Sequence, residues 1–328
     1  MISTDEKSST ALSFESRERN RQTAYFDAEF PGKNGYKKMA FRLQPLDMAL
    51  NLAPTIRDRA LRYIKDNEIA WHAHSNHALS SQVCCMNFLM PLADKPEMLS
   101  RLVGEALGIA SPEMLEFESG PDGRPWFVGF EWNGREDYLN EGGRQRRRIR
   151  GSNSTSADAV VRFRHNGRNE TLLIEWKYTE SYGPPIAAKG NPTRISRYEN
   201  LLFTPTGPIR NDLGLKIEDF FYEPFYQLLR QQMLAFQMKK IGEDRTERVR
   251  VLHIAPAANL ALRKVTSPAL KRFGDDAFAV FRSLLVLPAD FVSRSTESLF
   301  GPLISNPNGA NEWAGYLARR YAFLVDVT

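Results

Sequence analysis

SADAVVRFRHNGRNETLLIEWKYTE, Ser156 to Glu180, is the stretch on which the fold turns. Asp158 to Arg164 alternates and is rich in Val and Phe, Asn166-Gly167 is a strong hairpin signal, and Thr171 to Lys177 is again strand-like. With Asn166 and Gly167 as a two-residue turn, antiparallel pairing sets Asp158 across from Glu175, and Lys177 shares their face because side chains alternate along a strand. A four-residue loop sets Asp158 across from Lys177 instead and still keeps the three together; only an odd-length loop separates them. The reverse face carries Ala159, Val161 and Phe163 against Leu172, Ile174 and Trp176. The expectation is a ribbon with one core face and one chemical face.

Like charges directly opposed across strands repel, so two facing carboxylates call for a positive charge between them. A hard divalent cation with oxygen ligands supplies it, and Mg²⁺ accepts a small number of carboxylates completed by water and phosphate, with Mn²⁺ able to substitute. Lys177 then orients or deprotonates a water, or offsets charge growing on a phosphate. That chemistry is metal-assisted hydrolysis of a phosphodiester. The bland reading of the same residues is a solvated polar face with a weak cross-strand ion pair.

Asp158 followed by Glu175-Trp176-Lys177 on an apolar strand resembles the D…(D/E)-x-K signature of the PD-(D/E)XK nuclease superfamily. Together with Ser80-Ser81-Gln82, Phe117-Glu118, Gly151 to Asp158 and Glu175 to Glu180, it is similar to a bacterial family of restriction endonucleases, over about Leu50 to Asn259. The resemblance implies an α/β restriction-endonuclease-like core, a mixed central sheet flanked by helices with N- and C-terminal helical elaborations. It also implies Mg²⁺-dependent cleavage of DNA by Asp158, Glu175 and Lys177, with the metal on Asp158 and Glu175. Ala157 stands where the superfamily name has Pro, and Trp176 where a smaller aliphatic residue is expected. Glu118 is a candidate third metal ligand. Glu105 competes with it, since many nucleases of the superfamily take an acid from the first core helix; either is equally read as a solvated acid. By the same resemblance Gln82 is a supporting residue.

Around the ribbon, the chain is that of an ordinary globular protein. Its 328 residues can bury a large core, and 42% hydrophobic with 25% charged residues indicates neither disorder nor membrane residence. A net charge of +5 permits a polyanionic partner without demanding one. Adjacent Cys84 and Cys85 have no metal spacing and would make a strained disulfide, so they read as thiols in a reducing compartment. No apolar run is long enough to span a bilayer and no signal-peptide core is evident, so the expected location is the cytoplasm.

Residues 1–22 are polar and Ser-rich and read as a flexible tail, followed by a single domain over 23–328 with its core at about 96–256. Tyr25 to Leu43 reads as an irregular arm. Helices are expected over Asp47 to Ile69, with Pro54 tolerated or splitting it, from Ser80 or Ser81 toward Met90, and over Pro96 to Leu107 before Gly108. His72, His74 and His77 form a weak metal set, lacking a carboxylate or cysteine at a recognised spacing. Strands are expected over Glu113 to Ser119, Trp126 to Trp132 and Val249 to Ile254. The basic run Arg144, Arg146, Arg147, Arg148 and Arg150 precedes Asp158 and is suited to backbone phosphates, the alternative being a solvated charge run.

Tyr178 to Asn211 reads as a long surface excursion. A helix follows Glu223-Pro224, with Phe225, Leu228, Leu229, Met233 and Phe236 buried and Gln227, Arg230 and Gln231 on an adjoining polar face. Gln227 and Arg230 are candidates to support a phosphate or a water, or are simply solvated. There is no P-loop and no dinucleotide fingerprint. The reading is an Mg²⁺-dependent deoxyribonuclease of restriction or defence type, with DNA as partner, and a homodimer is compatible with it. The alternatives are a silent nucleic-acid-binding module on a nuclease-like scaffold and a nuclease for RNA or structured DNA.

Overall fold

The computed structural model describes residues 12–143, 148–152, 154–304 and 312–325. The chain opens with α1 (Phe14–Glu29), begun by Ser13, whose hydroxyl accepts from Ser16 N. This corrects the expected flexible tail from Ser13 onward. The helix is polar overall, but Phe14, Glu18, Gln22 and Phe26 are spaced to share one face and all are buried, so docking rather than composition orders it. After α1 an irregular arm carries Leu43 into a small cluster with Phe26 and Ala78.

Pro54 does split the next segment: a 3-10 stretch covers Pro45–Asn51 and α2 covers Arg57–Asp66. α3 (Ser81–Leu89) starts at Ser80, whose hydroxyl caps Val83 N, and α4 (Pro96–Leu107) ends at Gly108 with φ 65°. The left-handed turn at its end is where glycine costs least.

The strands are β1 (Glu113–Leu115), β2 (Glu118–Ser119), β3 (Pro125–Trp126), β4 (Val128–Trp132), β5 (Ala157–His165) and β6 (Arg168–Trp176). α5 (Asn191–Leu202) lies within the expected surface excursion and buries Tyr198 and Leu202, so that segment is partly core. Then come α6 (Phe225–Ile241), β7 (Arg248–Ala255), α7 (Ala277–Leu284), β8 (Phe291–Ser295), α8 (Thr296–Ile304) and α9 (Glu312–Arg320).

Asn166 and Gly167 take φ of 50° and 76°, the two left-handed residues of a two-residue hairpin turn. That turn fixes the register of β5 on β6, from His165↔Arg168 to Ala159↔Ile174. β4 and β1 both pair antiparallel with the other side of β5, while β7 joins β6 and β8 joins β7 in parallel. The result is a mixed six-stranded sheet flanked by helices, as expected. It extends past residue 256, because β8 completes its edge.

Ala159, Val161, Phe163, Leu172, Ile174 and Trp176 do form one buried face, with Trp176 against Phe88 of α3 and Phe300 of α8 at ring distances of 5.0 and 5.7 Å. The opposite face is not solvated. Val160 and Leu173, with Val249 and Val251, lie under Leu228, Leu229 and Met233 of α6 in a second core. Both faces of the ribbon are interior along its middle, and its exposed residues gather at the hairpin end, Arg164 to Arg168, while Glu175 and Lys177 at the other end are buried.

Candidate active site

Three neighbouring strands bring their acids to the end of the sheet. Phe130↔Ala159 and Trp132↔Ala157 bracket Glu131 and Asp158 across β4 and β5, and Ala159↔Ile174 leaves Asp158 beside Glu175. Asp158 Oδ2 accepts from Trp176 N at 2.6 Å, which ties it to the strand carrying Glu175. Lys177 Nζ donates to Glu175 Oε1 at 2.6 Å. Gln231, from α6, donates through Nε2 to Glu175 Oε2 at 2.8 Å and to Ser156 O at 2.6 Å. The expected trio is therefore together, held by register on one side and by α6 on the other.

Burial and mutual repulsion dominate the electrostatics. Asp158 is pushed well above the usual carboxylate range by burial first, then by Glu175 and Glu131, with Lys177 opposing. Glu131 is pushed up to about 7, again by burial first, with Glu175 adding and the Gln82 hydrogen bond opposing. Burial works against the charge of Lys177, yet Glu175, Tyr182, Glu180 and Asp158 lift it well above its ordinary value. Three acids thus share one ammonium.

Asp158 and Glu175 are the oxygen donors that would hold a hard cation, with Lys177 Nζ and Gln231 Nε2 already on the two oxygens of Glu175. Among the described residues no three His, Cys, Asp or Glu side chains converge on one point, so protein ligands alone would not complete a shell. Mg²⁺ does not ask them to, since it keeps several waters and takes one or two carboxylates. Gln231 Oε1 and Tyr182 OH are buried without a hydrogen-bond partner, and the Gln231 oxygen belongs to the amide that holds Glu175. An acceptor left over at that point suits a donor arriving with the ion, such as its water.

Glu131 escaped the sequence reading. The signal was there: a single acid inside the apolar strand Val128–Trp132, whose Glu-Trp pair repeats Glu175-Trp176. Gln82 belongs to the site through it, its Nε2 donating to Glu131 Oε1 at 2.8 Å. His72 is also there, Nε2 lying 3.4 Å from the same oxygen. His74 and His77 lie apart from the acids, beside Arg42 and Leu79 N respectively.

Other expected residues are engaged elsewhere. Glu118 accepts from Tyr63 OH and pairs with Arg150 at 3.4 Å, which removes it from the acid cluster. Glu105 is exposed on α4. Arg150 is turned inward, donating to Phe130 O, Asn67 Oδ1 and Tyr63 OH, and Arg148 donates to Asn133 O and Gly134 O. These two correct the expectation of an outward arginine run; Arg144, Arg146 and Arg147 lie outside the described residues. Arg230 sits over the Tyr226 ring at 4.8 Å and donates to Thr155 Oγ1 at 3.3 Å, and Gln227 contributes its backbone N–H to Glu223 Oε2. Neither reaches Glu175; Gln231 does.

Among the described residues no helix is long and apolar enough to cross a membrane, and Cys84 and Cys85 are buried free thiols. A model of the family described as Restriction Endonuclease associating with ARP matches residues 13–322. Comparison with curated proteins and with solved structures gave no match.

Proposed function

The chain belongs to the family of restriction endonucleases associating with ARP, and from that premise we propose that it hydrolyses DNA phosphodiester bonds in the cytoplasm with Mg²⁺ held by Asp158 and Glu175. The observation that supports this is the strand register, which sets a half-buried carboxylate, Asp158, beside a buried one, Glu175, with an ammonium 2.6 Å from the latter. The bound cation, or Mn²⁺ in its place, would supply Lewis-acid stabilisation of the phosphoryl oxygen and an acidified water. Lys177 directs its N–H groups at the attacking water or at the charge that builds on the phosphate. Gln231 fixes the rotamer of Glu175, and Trp176 N fixes that of Asp158. Arg144, Arg146 and Arg147 are assigned to the DNA backbone, and the partner named in the family's description, ARP, is carried over to this chain with them.

The short Lys177 to Glu175 contact is also what favours a second reading, binding without cleavage, because the ammonium occupies an oxygen that a cation would need. One assay separates the two. The purified chain is expected to nick or cut DNA with Mg²⁺ or Mn²⁺, to stop with EDTA, and to lose at least ~10²-fold in rate in Lys177→Ala with its circular dichroism unchanged. Salt-sensitive DNA binding with no turnover across both metal titrations selects the second reading, and competition between RNA, branched and duplex DNA identifies the substrate.

A further inference from the structure

A cleft of about 480 Å³ opens next to the acids, where α1, the arm before α2 and the segment after β6 meet. Two features join it to the site. His72 lines it and lies 3.4 Å from Glu131 Oε1, and Thr179 and Glu180, which follow closely on Lys177, form another part of its wall. A strand held at Asp158 and Glu175 would have the cleft beside it.

The polar lining is divided by hydrogen-bond character. Arg42 Nη2 lies 3.4 Å from His74 Nδ1, and a guanidinium has no acceptor, so His74 accepts there and carries its hydrogen on Nε2. His77 Nδ1 accepts from Leu79 N at 3.1 Å, which puts its hydrogen on Nε2 as well. Burial, with Arg42 next to it, pushes His77 down to about 4, so its ring is neutral. Two imidazole N–H donors, the permanent charge of Arg42 and the hydroxyl of Ser81 in the first turn of α3 therefore make one donor-rich wall. Glu15, paired with Arg19, and Glu180, whose Oε2 accepts from Tyr178 N at 2.6 Å, make an acidic one, on which Oε1 of Glu180 is the acceptor without a bond to Tyr178. The His77 ring, set edge to face against Phe41 at 4.7 Å, lines the cleft together with Met39 and Leu79, which supply its apolar surface.

A matching ligand has an anionic end, a flat ring and an amine, and the volume falls within the ~300–1,000 Å³ of small-molecule sites. We propose that the cleft takes one nucleotide of the substrate strand flanking the scissile phosphate, its phosphate toward Arg42 and Ser81 and the exocyclic amine of its base toward Glu180. The assignment to the substrate strand rests on the nuclease reading above; the nucleotide chemistry of the cleft rests on its lining.

The test uses the full chain in EDTA, so that no cleavage is read. Each of the four deoxynucleoside 5′-monophosphates is titrated by calorimetry, with the histidine ring resonances followed by NMR. At least one is expected to bind saturably, to shift the His74 and His77 resonances, and to be displaced competitively by a duplex oligonucleotide. Binding should weaken tenfold or more in His74→Ala, a change at an exposed loop position, and in Ser81→Glu, each compared with the parent by thermal melting. Absence of saturable binding by all four, or unchanged binding in the folded variants, overturns the proposal. Binding that DNA does not displace overturns the substrate-strand assignment and identifies a site for free nucleotide. Failure of the nuclease reading shows separately, as absent cleavage with Mg²⁺ while mononucleotide binding persists.

Discussion

Glu131 sits at φ 52°, a left-handed backbone that side chains other than Asn, Asp and Gly rarely adopt, and it interrupts the pairing of β4 with β5 opposite Asp158. Local distortion of a strand that redirects a side chain is common beside active sites. Its ordinary value is 4.5 and its folded value about 7, so between these the folded chain holds a proton that the unfolded chain has released, and stability falls as pH rises across that window. Glu131→Gln removes the charge and keeps an acceptor for Gln82. Its melting temperature should exceed the parent's by a few degrees at about pH 8, the gap closing below 4.5. His253 behaves in the opposite sense. Burial, with Lys177 and Arg263 adding, pushes it from 6.5 down to about 3, so the unfolded chain gains a proton first and stability is lost as pH falls from 6.5 toward 3. Urea midpoints between about pH 7 and 4 should fall less steeply in His253→Leu.

The hairpin is the element whose geometry everything at the site inherits. Gly167 at φ 76° meets no neighbouring atoms, so Gly167→Ala is penalised by backbone conformation alone, roughly 1 kcal/mol, measurable as a shift in urea midpoint at constant slope. Trp176 is a different case. It lies fully buried between α3 and α8, and Trp176→Ala should cost about 3–5 kcal/mol, enough to disturb Glu175 and Lys177 on either side of it. The wide residue between acid and lysine is thus a packing device. Equivalent economy is seen in α6, which buries Leu228, Leu229 and Met233 while turning Gln231 to Glu175. Arg230, one residue away on that helix, points instead at Thr155 and the Tyr226 ring.

Across the whole molecule α1 and α9 meet beside the segment that follows β6. Gln22 of α1 donates to Arg320 O at 2.7 Å, and Tyr178, next to Lys177, donates to Glu18 Oε2 at 2.7 Å. Arg320 itself is buried, donating to Asn51 O at 2.5 Å and Tyr316 OH at 2.7 Å. Removing one member of such a set leaves the others buried and unpaired, so Arg320→Met should destabilise by about 3 kcal/mol or more, read as a lowered melting temperature. The loss should appear as less folded protein, with the activity per folded molecule retained.

Along the ribbon the sequence by itself determined the strands and the shared face of Asp158, Glu175 and Lys177, because alternation, Asn166-Gly167 and the apolar set from Ala159 to Trp176 all act over short separations, and the structure chose the two-residue turn and its register. It likewise determined the bounds of α4, whose proline start and glycine stop are local signals. Tertiary structure alone decided that α1 is a helix, that both faces of the ribbon are interior along its middle, that Glu131 joins the site where Glu118 does not, and that Gln231 rather than Arg230 holds Glu175. Those outcomes depend on which distant element docks where. A polar segment orders only if a partner surface covers it, and a buried carboxylate takes whichever donor the packing brings within reach.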